Sequence, residues 1–408
     1  MKSVLVIGGG LVGAASALRL QAAGIATTLV DPGDPRRSAS FGNAGCIATE
    51  QVEPWASWKN VSGAAGRLFA FGGALDFRLS DVGRWLPWSM RYLAACERAR
   101  FERGRAALAA LLAEALPAWQ RIAALAGVPD LVQADGHAVV WMSPRAAEAG
   151  RAAWEGTPTG SARFRDMRDD DLAAYAQAIG RAPAGGILFS GTGQVGSPQG
   201  ARDAILAAFQ QRGGESAPGR VVRLDGPRAT LEGGRVLEAD AALVAAGAWS
   251  APLMRQLGHE APLIGERGYS IESAHHGWSD NLPATVFEER ALVLVRFATG
   301  LRATSFLEFG SPDAPGDPRK WATLERHVQE LGISFDPQPS RWVGPRPTLP
   351  DYLPAIGRAA DSRVLYAFGH QHLGLTLAAV TSELVAALAT EAPPPVDISP
   401  FRIERFSA

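Results

Sequence analysis

Cysteine is scarce: Cys46 and Cys96 are the only two in 408 residues. They imply no disulfide framework, and a reducing compartment is the default for such a chain. Net charge is equally slight. Forty Lys and Arg face 41 Asp and Glu, a formal −1, and no basic run stands out. Nothing in that pattern suggests a nucleic-acid or acidic-membrane surface. No apolar run reads as long enough to span a bilayer; the C-terminal "LGLTLAAVTSELVAALAT" carries Glu383 inside it. Internal repeats are missing, and the 45 Gly and 28 Pro are spread along the chain as turns, not as low complexity. What remains is 47% hydrophobic and 20% charged, an ordinary packed composition, with a length that suits two or three domains or two interleaved ones.

The first residues, "MKSVLVIGGGLVGAASAL", imitate a secretory signal, with a Lys, an apolar run and a small-residue triplet. Glycine spacing favours another reading. Ser3 to Ile7 is a β-branched run suited to a buried parallel strand, and Gly8 to Gly13 fits G-x-G-x-x-G. Gly8 permits the tight turn, Gly10 lets a pyrophosphate approach the backbone, and Gly13 lets the following helix pack on the strand. That helix ends near Gly24. A second strand, "ATTLVD", ends at Asp31, 18 residues after Gly13, where an acid can bind ribose hydroxyls. Strand, glycines, helix, strand and terminal acid together predict a dinucleotide site.

NAD and FAD share this fingerprint, and the next segment separates them. "DPGDPRRSASFGNAGCIATE" leads through a polar loop to Ser40, Asn43 and Gly45. On these motifs the chain resembles the D-amino acid oxidase-like family of FAD oxidoreductases, most closely its D-amino acid dehydrogenase branch. The resemblance covers nearly the whole chain. Cys46 departs from the polar residue expected there, and a thioether to the flavin is the minor alternative to non-covalent FAD. The fold implied is α/β: a discontinuous Rossmann-like FAD-binding domain interleaved with an α+β substrate domain on an antiparallel sheet. The boundaries expected are 1–50, 190–262 and 342–408 for the FAD domain, with 51–189 and 263–341 as helical cover and substrate domain. Within the cover, Trp85 to Ala126 reads as two or three helices.

The resemblance places FAD against Gly8, Gly10, Leu11, Val12, Gly13, Asp31, Pro32, Ser40, Asn43, Ala44, Gly45 and Cys46. It adds Val222 for the adenine, Gly247 and Trp249 near the pyrophosphate and ribose, and Gly344, Gly369, Leu373, Gly374, Leu375 and Thr376 around the ring. The last of these open a helix whose N-terminus, with free N–H groups and partial positive charge, would stabilise negative charge on reduced flavin. In "VGPRPTLPD", Arg346 would grip a substrate carboxylate, since a guanidinium binds one bidentately and the prolines stiffen its loop. Tyr269, in "GERGYSIE", is a second substrate candidate. His370 and His372 are two apart in "GHQHLG" and on an extended segment would face the same way, His370 being preferred as the flavin or substrate neighbour. Arg302 and Glu308 read as structural partners. No metal is expected, for no ligand-spaced cluster surrounds the histidines.

The implied activity is dehydrogenation of a small D-amino or cyclic D-imino acid, hydroxy-D-proline or D-proline being favoured. Hydride would pass from Cα to flavin N5, and electrons to a quinone or another electron-transfer acceptor. A glycine- or sarcosine-oxidase-like enzyme using O2, or a flavin subunit of a larger complex, are the alternatives. Localisation is expected to be cytoplasmic, with peripheral contact at the inner face of a membrane; an oligomer is compatible with this and nucleic acid is not a partner.

Overall fold

The computed structural model describes residues 1–360 and 362–407. Strand β1 (Ser3–Ile7), helix α1 (Leu11–Ala22) and strand β2 (Ala26–Asp31) form where the glycine spacing predicts them. They begin a six-stranded sheet ordered 215–218, β2, β1, 241–244, 364–368, 355–358. The first five strands run parallel and the last pair is antiparallel. Val4 to Ile7 are all buried, as a strand covered on both faces requires. On one face lie α1, Pro198–Gln211 and the closing helix Gly374–Thr390; on the other lies a three-stranded meander, 221–238.

The second sheet has nine strands, ordered 340–348, 264–273, 300–310, 292–297, 284–287, 137–141, 185–190, 163–166, with 75–77 added beside 300–310. Its pairings are antiparallel except 284–287 with 137–141 and 75–77 with 300–310. Three edges of the expected domain plan move. The boundary drawn at 342 falls inside Ser340–Thr348, a strand of this second sheet. The one drawn at 190 falls at the end of Gly185–Ser190 in the same sheet. Of the three cover helices, Val82–Ala95 packs on the second sheet, but Arg98–Ala113 and Ala115–Leu125 pack on the closing helix and share the core of the nucleotide half. Leu108, Leu112 and Trp119 supply the apolar faces that decide this.

Two helical stretches, Arg98–Leu125 and Gln371–Thr390, do reach membrane-spanning length and hydropathy, contrary to the sequence reading. Both are core elements: Leu111, Trp119, Leu377 and Val385 are 0% exposed. One antiparallel bridge, Thr348 with His370, joins the edge of the second sheet to the turn before the closing helix.

Candidate active site

The nucleotide half is built from glycine constraints. Gly8 has φ +111°, and a Cβ there would lie 2.4 Å from the Ala245 carbonyl oxygen. A Cβ on Gly13 would lie 1.8 Å from the Gly8 oxygen, so that glycine serves helix–strand contact. Gly10 is different: its nearest neighbours would be Ser38 Oγ at 3.1 Å and Ser40 Oγ at 3.6 Å, leaving room on the cavity side. Asp31 holds the turn, accepting from Gly9 N at 2.7 Å and Gly33 N at 2.8 Å. Ser40 Oγ accepts from Leu11 N at 3.2 Å.

A cavity of about 520 Å³ runs through this region. Of the sequence candidates, Gly8, Gly10, Leu11, Val12, Asp31, Pro32, Ser40, Asn43, Val222, Gly247, Trp249, Arg346, His370, Gly374 and Leu375 line it. Ala44, Gly45, Cys46, Gly344, Gly369, Leu373 and Thr376 are not part of that lining. Thr376 Oγ1 donates to Cys46 O at 3.2 Å and accepts from Ala48 N at 3.1 Å, pinning the closing helix to the loop. Arg302 donates to Phe41 O and Asn43 O at 3.0 and 2.7 Å and pairs with Glu272 at 2.6 Å, tying the same loop to the second sheet. Trp342 fills the space that side chains at Gly42 and Gly344 would need. Burial, with Glu50 and Asp135 nearby, pushes the Cys46 thiol up to about 12, so it offers no thiolate near neutral pH.

At the other end lies Arg346. Strand register sets Glu266 directly opposite it. Its Nη1 donates to Glu266 Oε1 at 3.3 Å and to Phe306 O at 3.0 Å. Phe306 has φ +73° within its strand, which turns that carbonyl toward the arginine. Nε and Nη2 make no hydrogen bond to the described residues, and the side chain is 21% exposed. Gly268 makes room for it: a Cβ there would lie 2.3 Å from Nη2. Glu266 is 0% exposed and also accepts from Thr348 Oγ1 at 3.2 Å and Tyr352 Oη at 2.9 Å. Its burial raises the carboxyl above its usual range, against the pull of Arg346. Trp55, Tyr352 and His372 stack beside this group, Trp55 lying 6.2 Å from Tyr352 and 5.3 Å from His372. His372 Nε2 meets Gln51 Oε1 at 2.6 Å.

The paired histidines diverge. Gln371–Leu373 forms a 3-10 turn with Gln371 at φ +47°, so the extended-segment rule fails. The His370 ring is 2% exposed and meets Thr381 Oγ1 at 3.0 Å, inside the closing helix. His370 borders the cavity, the side preferred from sequence, while His372 lies close enough to Arg346 to feel its charge. Burial pulls the His370 ring down to about 3, and burial together with the nearby Arg346 charge brings His372 to about 3 as well.

Tyr269 is also placed elsewhere. It lies three residues from Glu266 and therefore on the opposite face of the strand. Its hydroxyl donates to Glu308 at 3.0 Å and accepts from Asp317 N at 3.0 Å, within a core that includes Phe306 and Trp321. Glu308 pairs with Arg267 and Lys320, each at 2.7 Å. Asp76, Glu308 and Asp317 converge as cation ligands would, but Lys320 Nζ already bonds all three.

A bound dinucleotide fits these residues: an open Gly10, an acid at the end of β2, and the first turn of a helix at the far end of one cavity. The sequence profile of the DAO family, FAD dependent oxidoreductases, matches residues 3–388.

The chain belongs to this family of FAD-dependent oxidoreductases.

Among relatives of this oxidoreductase, a D-amino-acid oxidase of Bradyrhizobium diazoefficiens is 32% identical, with 99% of each chain aligned. A D-amino acid dehydrogenase of Paramagnetospirillum magneticum is 27% identical over 99% of each chain. In fold, the crystal structure of an iminodiacetate oxidase from Chelativorans superposes with a TM-score of 0.72 over 98% of each chain at 18% identity. Sequence reading missed Glu266, Gly268, Gln51, Trp55 and Tyr352. Glu266 stands in the quoted "GERGYSIE", but its partner is 80 residues away.

Proposed function

We propose that this oxidoreductase dehydrogenates a small D-amino acid or cyclic D-imino acid, such as hydroxy-D-proline or D-proline, with non-covalent FAD and a quinone or other non-oxygen acceptor. The observation that carries the reading is Arg346: a guanidinium at the cavity wall, braced by Glu266 and the Phe306 carbonyl, with Nε and Nη2 left for a carboxylate. Bound FAD supplies the two-electron oxidation, accepting the Cα hydrogen as hydride. The chain's own residues orient the substrate. Arg346 fixes the carboxylate. Trp55, Tyr352 and His372 enclose the neighbouring space with flat apolar faces that suit a compact ring. Both histidines stay neutral at working pH, so neither adds a cation beside a neutral amine. The first turn of the closing helix, Gly374 and Leu375, presents N–H groups to the cavity, where they would meet charge that develops on the cofactor. The imine product leaves to hydrolyse in water, or remains cyclic.

An oxygen-using version is the second reading, favoured by the 32% identical relative, which is a D-amino-acid oxidase. Anaerobic mixing with D- and L-amino acids, glycine and sarcosine decides the substrate. Bleaching of the flavin by D-proline or hydroxy-D-proline, and not by the L forms, is expected; bleaching by sarcosine alone would sink the proposal. Readmitting air against a quinone then separates the acceptors. Acid precipitation should release the flavin into solution, and flavin retained on the chain would overturn the non-covalent assignment.

A further inference from the structure

Arg346 does not fix its own angle. Its Nη1 is shared between Glu266 Oε1 and the Phe306 carbonyl, so the fork is held by one tine. A guanidinium held in that way can pivot, and the direction of Nε and Nη2 then depends on where the Glu266 carboxylate sits. Glu266 divides its two oxygens. Oε1 faces Arg346, and Oε2 accepts from Tyr352 Oη at 2.9 Å and Thr348 Oγ1 at 3.2 Å. The Thr348 hydroxyl also lies 3.4 Å from Arg346 O, so its one proton is divided. The Tyr352 hydroxyl makes no other bond among the described residues. Burial and the Glu266 charge raise this phenol well above its usual range, so it keeps its proton and donates it.

The backbone under that hydroxyl is strained. Tyr352 has φ +56°, a region that non-glycine residues seldom occupy. Bonds on both sides hold it there. Arg405 pairs with Asp351 at 2.6 Å and donates to Leu353 O at 2.9 Å. Gln371 Nε2 donates to Tyr352 O at 2.6 Å, from a residue that borders the cavity and is itself at φ +47°. The ring is closed in by Trp55, Trp88 and Tyr92, whose centroids lie 5.9 to 6.2 Å away. Strain of this kind persists only where the surroundings over-determine it, and it gathers at working sites. Here its product is a phenol hydroxyl delivered to a buried carboxylate.

We propose that Tyr352 is a positioning residue for the carboxylate anchor: its hydroxyl holds Glu266, and Glu266 sets the angle of the Arg346 fork. The inference rests on the reading of Arg346 as that anchor and adds what governs it. Among the described residues, the charged and titratable groups facing Glu266 are Arg346 on the paired strand, Tyr352 on the 349–354 loop and Tyr92 on helix Val82–Ala95. The Tyr92 hydroxyl is turned away, to Trp55 O at 2.7 Å. His372, close to Arg346, is neutral. Arg267, the next residue along, points to the opposite face of the strand and pairs with Glu308. Burial raises the Glu266 carboxyl, while Arg346, Tyr352 and Thr348 act against it. Losing the Tyr352 bond removes one group that favours the charged form, so Glu266 then takes up its proton at a higher pH. A protonated Glu266 releases the brace on Nη1.

The test is anaerobic bleaching of the flavin in the FAD-loaded full chain at saturating D-proline, followed across pH, with pyrrolidine as the amine that lacks the carboxylate. Tyr352→Phe keeps the ring and removes only the hydroxyl. Its limiting rate with D-proline should fall about tenfold near neutral pH, as suits a lost hydrogen bond to a charged group. The acid limb of its pH profile should move to higher pH. Neither change should appear with pyrrolidine, or when Tyr352→Phe is added to Glu266→Gln, which cannot titrate. Melting temperature and flavin content report folding; a structural loss alone would lower them without moving the limb. Should Tyr352→Phe not load flavin, Thr348→Val removes the other hydroxyl from Glu266 and should move the limb in the same direction. A limb unmoved in the loaded variant, or moved equally with pyrrolidine or in the Glu266→Gln background, overturns the proposal. A wild-type chain that bleaches equally with D-proline and pyrrolidine overturns the anchor reading itself, and this inference falls with it.

Discussion

The proposed reading gives Arg346 two jobs in this site, and a pair of substitutions tells them apart. Arg346→Ala removes the proposed anchor and strips Glu266 of the only cation paired with it among the described residues, although Glu266 is 0% exposed. Removing one member of a fully buried pair costs about 3–5 kcal/mol. Two features lower that figure here: the guanidinium is 21% exposed, and Glu266 keeps Tyr352 and Thr348 while its carboxyl is already biased toward protonation. A loss of about 2–3 kcal/mol is therefore expected. With unfolding entropy of roughly 2.1 cal/mol/K per residue, that is about 2–4 °C in melting temperature for a chain of 408 residues. Adding Glu266→Gln removes the stranded charge and should restore most of this. It should not restore catalysis. Without the fork, kcat/KM for a D-imino acid should fall by about 2–5 kcal/mol, roughly 30- to several-thousand-fold, in both variants. Proline against pyrrolidine supplies the control, since wild type should discriminate strongly for the carboxylate and both variants weakly. The reasoning is refuted if the double variant recovers that discrimination, or if it melts no higher than Arg346→Ala.

Three further outcomes follow from the geometry. Gly268→Ala puts a Cβ 2.3 Å from Arg346 Nη2, so KM should rise with flavin content unchanged; loss of flavin instead would mean that Gly268 serves the cofactor. Gly10→Val should fold yet fail to load FAD, whereas Gly13→Ala, 1.8 Å from the Gly8 oxygen, should fail to fold, as expression and flavin absorbance will report. His370 and His372 take up protons in the unfolded chain below about 6.5 but in the folded chain only near 3, so unfolding binds protons across that window and stability falls as pH drops through it. His370→Gln keeps a polar partner for Thr381 and removes one such proton, so its melting temperature should depend less steeply on pH; an unchanged slope would contradict the depressed value.

The sequence was most informative where constraint is local. β1, α1 and β2 follow from a continuous apolar run, glycine spacing and a terminal acid, all within 31 residues. The antiparallel sheet was expected from the family resemblance. Its register was not, and register puts Glu266 under Arg346 while turning Tyr269 into the opposite layer. That the two histidines point apart was hidden for another reason. A left-handed Gln371 between them reverses the chain, and glutamine carries no sequence sign of positive φ. The cover helices were recognisable by composition, but which half they join depends on Trp119 reaching Leu375 O at 2.9 Å, a contact 256 residues long.

The bridge between Thr348 and His370 has a consequence for how substrates are told apart. It stitches the strand that carries Arg346 to the turn that opens the closing helix, two residues from the anchor and four from Gly374. On the proposed function, the carboxylate grip and the helix facing the cofactor are thus two marks on one ruler, set by a short run of backbone and not by two bodies free to slide. Selectivity in such an arrangement is a matter of reach: a substrate reacts when the distance from its carboxylate to the hydrogen it gives up equals the distance between the marks. Enlarging the aromatic enclosure would then admit bulkier side chains without altering which carbon is oxidised, and lengthening the 349–354 loop would leave both ends intact and still misplace one against the other.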